Sequence, residues 1–285
     1  MNNINGYKRY HEKPNTIVKG GKVYIKEMYF NTLNEYKNRK IRVYLPSTYD
    51  FSNPDNRFPV IYMLDGKNLF DDYTSFVGEW GVDEAIEKAI KENKTNGIIV
   101  VGIDAPEKAF DRALEMIPKG IELKDNRLNA TSGYAELLGD FIFKEVKPDI
   151  DQTFYTLSDK NHTGVGGSSM GGLMSFYLAV NYSTYVNYSL PFSPAFFLFK
   201  QHSFKKYLED YVSNNNEIGK MFLYVGDNGF ESQFVSTTFK TYRFMRKAGF
   251  SHESVKLVYD SDKLHHENSW KKYFPEALEF FNYLK

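Results

Sequence analysis

The run Gly166-Gly167-Ser168-Ser169-Met170-Gly171-Gly172 carries G-x-S-x-G over residues 167–171 and marks Ser169 as a candidate nucleophile. A serine on a sharp strand-to-helix turn is held strained with its hydroxyl exposed, and small neighbours let the chain fold tightly around it. The flanks fit that turn: Asn161–Gly166 reads as a short strand, and Leu173–Val180 as a buried helix. Other readings of the segment are weaker. A flexible linker would sit in polar sequence, not between apolar runs, and a phosphate loop would need Lys followed by Ser or Thr. Ser203-Phe204-Lys205-Lys206 matches S-x-x-K, but the S-D-N and K-T-G companions are absent.

An acyl-transfer serine needs a base, a group that orients the base, and donors for the oxyanion. Of six histidines, His265 and His266 lie after the last expected strand, where an α/β-hydrolase places its base. His11 falls in the polar N-terminal segment, and His162, His202 and His252 read as loop or surface residues. Chelation by the adjacent pair would need a positioned carboxylate, so no metal is expected. The orienting acid should follow the strand Met221–Gly226, which leaves Asp227 and Glu231 as alternatives. An EF-hand reading of Asp227-Asn228-Gly229 lacks the other ligand positions. The order serine, acid, histidine is that of the α/β-hydrolases. Oxyanion donors are expected from the Met170 N–H and from the N–H of Gly66 or Lys67, after the strand that ends at Asp65.

These groups need strands and helices to position them. Lys22–Phe30 and Ile41–Leu45 alternate apolar with polar, as antiparallel strands with one wet face do, while Pro59–Asp65 and Gly97–Asp104 are the continuous apolar runs of central parallel strands. Val82–Lys91, Tyr134–Val146, Phe204–Val212, Phe234–Ala248 and Pro275–Leu284 have helical spacing. Between them, Tyr188–Phe192, Met221–Gly226 and Val255–Tyr259 read as strands. The class is α/β: a mostly parallel sheet with helices on both faces and antiparallel N-terminal strands. The long loop Pro106–Ser132 is expected to cap the site.

With 285 residues and no linker composition the chain reads as a single domain, with residues 1–20 as a peripheral segment. Thirty-six basic residues balance 36 acidic ones, so no long-range field draws it to nucleic acid or an anionic membrane. The absence of cysteine excludes thiol catalysis, disulfides and thiolate metal sites. Without a signal-like or spanning apolar run, the expected location is the cytoplasm. Nothing in the sequence sets an oligomeric state.

Further segments bear on the family. Tyr62-Met63-Leu64-Asp65-Gly66-Lys67-Asn68-Leu69-Phe70 is similar to M-H-D-G-Q-N-L-F, and His265–Trp270 is similar to H-N-E-x-x-W. With Gly78–Ala85, Val101–Asp104 and Gly167–Gly172 in the same order, the chain from about Val23 onward resembles the putative-esterase family of α/β-hydrolases. That family contains ferric-siderophore esterases, feruloyl esterases, S-formylglutathione hydrolases and mycolyl transferases. The resemblance selects His265, five residues before Trp270, as the base. It departs at Leu64, at Lys67, and at Gly229, where the family commonly has its acid. The acid is therefore Asp227, Glu231 after a local insertion, or absent in a Ser-His dyad. The resemblance implies a serine carboxylic-ester hydrolase that needs no cofactor, acting on a small-molecule ester. The alternatives are acyl transfer to an alcohol and a catalytically silent binding module. Trp80, Phe70 and Arg112 are the candidate substrate-binding residues, with Phe192–Phe197 also near the expected mouth. Rings beside Lys67 and Arg112 suit an aryl, partly anionic ester, such as a hydroxycinnamoyl sugar or a catecholate lactone, better than a long lipid chain.

Overall fold

The computed structural model describes residues 2–10, 20–31, 36–125, 133–213, 215 and 217–284. His11, the rest of 11–19, and 126–132 of the expected capping loop lie outside them. In chain order, strands β1 (Asn3–Ile4), β2 (Tyr7–Arg9), β3 (Lys22–Asn31), β4 (Tyr36–Leu45) and β5 (Val60–Leu64) precede helix α1 (Val82–Lys91) and strand β6 (Ile99–Ile103). Helices α2 (Ala109–Met116) and α3 (Ala135–Asp140) follow, then a π-helical segment (Phe141–Val146) and α4 (Lys147–Thr153). Next come β7 (Thr163–Ser168), α5 (Met170–Asn181), β8 (Tyr188–Phe192) and α6 (Gln201–Tyr211). Strand β9 (Lys220–Gly226), α7 (Ser232–Lys247), β10 (Val255–Asp260) and α8 (Glu267–Phe280) complete the series. The chain divides into two compact units, Met1–Ala105 with Phe141–Thr163 and His266–Lys285, and Pro106–Asp140 with Gly164–His265.

In the first unit the strands run in the order β1-β2-β3-β4-β6-β5. Pairing is antiparallel as far as β4 with β6, and β5 lies parallel to β6. The runs Val60–Leu64 and Ile99–Ile103 are buried at every residue, which is why they read as unbroken apolar strands rather than alternating ones. Residues 3–9, expected to be peripheral, form a hairpin that pairs with β3. Tyr7 there is fully buried and its hydroxyl donates to Asp149 Oδ2 at 2.6 Å. Helix α8 begins at Glu267, well before the expected Pro275, which sits inside it. The side chain of His266 caps the helix by accepting the Asn268 N–H. Trp270, Phe274, Ala277 and Leu278 form a buried stripe across the proline, so packing carries the helix through the hydrogen bond that Pro275 cannot donate.

In the second unit β7-β8-β9-β10 are all parallel. Helix α5 packs on β8, and α7 on β9 and β10. Four successive strand ends therefore open on the same edge of this sheet, and the segments that follow them contain Ser169, Ser193, Glu231 and His265. In parallel α/β sheets this carboxyl edge is where ligands bind. The start of the expected capping loop is helical, as α2, which packs against α3 and α5. The predicted helix Tyr134–Val146 is instead α3 followed by the π-helical segment, whose Phe141, Ile142, Phe143 and Val146 are buried.

Candidate active site

Ser169 sits between β7 and α5 with φ 59° and ψ −118°, a conformation that L residues adopt only when the surroundings hold them in it. Its N–H donates to Phe192 O at 2.9 Å, and its carbonyl accepts from Leu173 N at 3.0 Å and Ala195 N at 3.1 Å. The glycines around it are sterically required. A Cβ on Gly167 would lie 2.8 Å from the Gly171 carbonyl carbon, and one on Gly172 would lie 2.5 Å from Phe192 O. Ser168, the last residue of β7, is buried, whereas Ser169 is half-exposed. Met170 opens α5. First-turn N–H groups of a helix have no acceptor within it and point out of its N-terminus.

The segment after β9 turns through Gly229 (φ 59°) into a single 3-10 turn that ends at Glu231. The Glu231 carboxylate is completely buried. Its Oε1 accepts from the Ser193 hydroxyl and from Gly226 N at 3.0 Å, and its Oε2 meets His265 Nδ1. A Cβ on Gly226 would lie 2.6 Å from Lys263 O, so glycine lets the chain before His265 close onto the strand end. The imidazole stacks on Phe234, with ring centroids 4.5 Å apart and planes at 21°. Phe230 meets it edge-on at 5.3 Å. The His265 side chain keeps 17% of its surface exposed. Glu231, Phe230 and Phe234 thus hold one ring by its edge and by its face.

Asp227 does not join this group. Its Oδ2 accepts from Tyr259 OH and its Oδ1 from Asp262 N at 2.7 Å, which ties it to the end of β10. His266 is occupied as the cap of α8, with Nδ1 accepting the Asn268 N–H at 3.1 Å. Ser193 escaped the sequence reading as an individual residue. It is fully buried with φ 44°, and its N–H donates to Tyr224 O at 2.8 Å. Its only signal in sequence was its place at the end of a buried strand.

The remaining candidates are spread more widely. Gly66 and Lys67 lie in a 3-10 turn after β5, entered through Asp65 at φ 59°. A Cβ on Gly66 would come within 2.6 Å of Gly102 C, so close backbone approach requires glycine there. Lys67 is half-buried, and its carbonyl accepts from the Thr74 hydroxyl at 2.6 Å. Arg112 is half-buried on α2. Trp80 and Phe70 are both buried in the first unit. Trp80 is 2% exposed, packed against Trp270 at 5.6 Å and Phe274 at 6.5 Å. Phe70 is 4% exposed and stacked on Tyr44 at 5.9 Å. Both rings pack in the core of the first unit.

Among the described residues one group of carboxylates is close enough to share an ion: Glu79, Asp83 and Glu84 around the start of α1. Asp83 is fully buried, and burial, then the charge of Glu84, pushes its carboxyl far above the ordinary range. Lys271 Nζ stands 3.7 Å from Glu79 Oε1.

Residues 33–281 match the family model described as Putative esterase. The chain belongs to that family. Membership supports ester hydrolysis. The uncharacterized protein YbbA of Bacillus subtilis (strain 168) is 23% identical to it over 259 residues, 87% of this chain and 95% of its own. The siderophore hydrolase EstB from Aspergillus nidulans has a similar structure, with a TM-score of 0.67 at 17% identity, covering 95% of this chain and 96% of its own. A ferulic acid esterase gives 0.66 at 18% identity, covering 92% and 98%. At such identities the likeness speaks to the fold, which is the α/β-hydrolase fold expected from the order of elements. No helix among the described residues is long and apolar enough to cross a membrane.

Proposed function

We propose that this esterase is a serine carboxylic-ester hydrolase that works through an acyl-enzyme, with Ser169 as nucleophile, His265 as base and Glu231 as the orienting acid. The observation that carries this reading is the buried Glu231 carboxylate on His265 Nδ1. A carboxylate at that nitrogen keeps the proton on Nδ1, leaves Nε2 unprotonated to act as the base, and stabilises the imidazolium that forms. Ser169 Oγ adds to the ester carbonyl carbon as its proton passes to Nε2. Collapse of the tetrahedral adduct expels the alcohol, which takes that proton, and water then releases the acid by the same route. Met170 N–H is the oxyanion donor beside the nucleophile. The family resemblance assigns the second donor to the N–H of Gly66 or Lys67. This chemistry needs no metal or organic cofactor.

For the substrate we propose short-chain or aryl esters of the feruloyl or siderophore type. The names of the structural relatives and the exposed ring of Phe230 beside His265 support that class. The test is fluorophosphonate labelling combined with an ester panel. Ser169→Ala should lose labelling and lower p-nitrophenyl acetate turnover by several orders of magnitude with folding intact. Labelling that persists, or that moves to Ser168, would overturn the nucleophile. Activity that climbs steadily with acyl length would overturn the substrate class.

A further inference from the structure

The second unit contains a pocket of about 470 Å³ that the hydrolytic chemistry does not use. Its floor is aromatic: Phe197 and Phe244 are half-exposed, and the buried Phe196, Phe199 and Phe204 lie among the lining residues behind them. Phe204 stacks on Phe196 at 5.0 Å and on Phe199 at 5.5 Å. Its rim is cationic: Lys124, Lys205, Lys240, Arg243 and Lys247 line it, and no acidic side chain among the described residues does. Lys205 has a partner in Glu209 at 3.1 Å. The other four have no carboxylate within ion-pair distance among the described residues. Lys240, Arg243 and Lys247 recur at helical spacing on α7, so one face of that helix carries three like charges beside Phe244.

Like charges crowded around an apolar floor repel one another, and an occupant that is both flat and negative relieves both features at once. A neutral ring would cover the floor and leave the cations unmatched. A small inorganic anion would match the cations and leave the half-exposed rings of Phe197 and Phe244 in water. We infer that this pocket binds a small aromatic anion, one ring carrying a carboxylate, phenolate or sulfonate group. The volume suits such a molecule. Phe197 also lines the pocket and packs edge-on against Phe234 at 4.7 Å, the ring on which His265 stacks. An occupant therefore lies two rings, Phe197 and Phe234, away from the candidate base while resting on different residues.

The probe is 4-hydroxycinnamate, titrated calorimetrically into the full-length protein. Binding should be one to one, weaken as salt is raised to ~0.3 M, and fall about tenfold or more in Lys240→Glu/Arg243→Glu and for the neutral amide of the same acid. It should persist in Ser169→Ala and after fluorophosphonate treatment, so this site and the nucleophile assignment stand or fall separately. If the charge-reversed protein does not fold, chemical-shift changes on α7 amides of the wild type make the same decision. Unchanged affinity after charge reversal, equal affinity for the amide, equal competition by inorganic phosphate or octanoate, or loss of binding on phosphonylation would each overturn the inference. The last outcome would place the anion at Ser169.

Discussion

Replacing Glu231 with glutamine changes one atom and tests the proposed division of labour. The carboxylate has two jobs, because Oε1 receives the Ser193 hydroxyl and the Gly226 N–H while Oε2 faces His265 Nδ1. A glutamine has one acceptor oxygen. With that oxygen toward Gly226, its NH₂ faces His265, Nδ1 must accept, and the imidazole proton moves to Nε2, where it blocks the base. The opposite orientation restores the tautomer and leaves a buried Gly226 N–H facing another donor, at a cost of about 1–3 kcal/mol. That penalty makes the productive orientation about 5- to 160-fold rarer. Loss of the charge-assisted contact to the imidazolium removes roughly a further 1.5–3 kcal/mol from the transition state. Together these predict a fall in kcat of about 10²- to 10⁴-fold, near the ~10⁴ that such a substitution costs a serine protease. The assay is p-nitrophenyl acetate hydrolysis across pH, with thermal unfolding as the fold check. Asp227→Asn, whose partners are Tyr259 and Asp262, should stay within about threefold of wild type. The reasoning is refuted if Glu231→Gln retains near-wild-type kcat, or if Asp227→Asn loses more than it does.

Other outcomes follow from the same contacts. Ser193→Ala should lower kcat by about tenfold with little change in KM, because it loosens the acid and touches no substrate; an effect confined to KM would contradict that role. His266→Ala should cost about 1 kcal/mol of stability through the lost cap and leave turnover near wild type, whereas His265→Ala should match the loss in Ser169→Ala. Burial, with the charge of Glu84, raises the Asp83 carboxyl in the folded protein. The fold therefore retains a proton that the unfolded chain gives up above pH ~4, and stability should fall, by up to about 1.4 kcal/mol per pH unit, as pH rises through neutrality. Asp83→Asn should flatten that dependence in calorimetric melts at pH 5–8, and a uniform loss of stability at every pH would count against it.

What could be read from the chain follows the range of the interactions involved. Val82–Lys91 and Tyr188–Phe192 match their observed bounds because helical spacing and a buried apolar run are local signals. The elbow at Ser169 is local too, since its glycines are required by contacts such as that of Gly167 with Gly171. The choice between Asp227 and Glu231 was not legible. Both lie just past β9, and which one reaches His265 depends on how the Gly229 turn is wound. The burial of Trp80 and Phe70 was not legible for a similar reason: how deeply a ring sits depends on distant partners, here Trp270, Phe274 and Tyr44. The cationic rim needs α6 and α7 brought together, and no single window of sequence contains both.

The rings around His265 also give the imidazole a magnetic address. Phe234 lies nearly parallel to it at 4.5 Å, so the carbon-bound protons of His265 fall in the shielding region of that ring current. Among the six histidines of the chain, this one should resonate upfield. Its protonation can then be followed in an ordinary proton spectrum of the unlabelled esterase through the proposed acylation of Ser169.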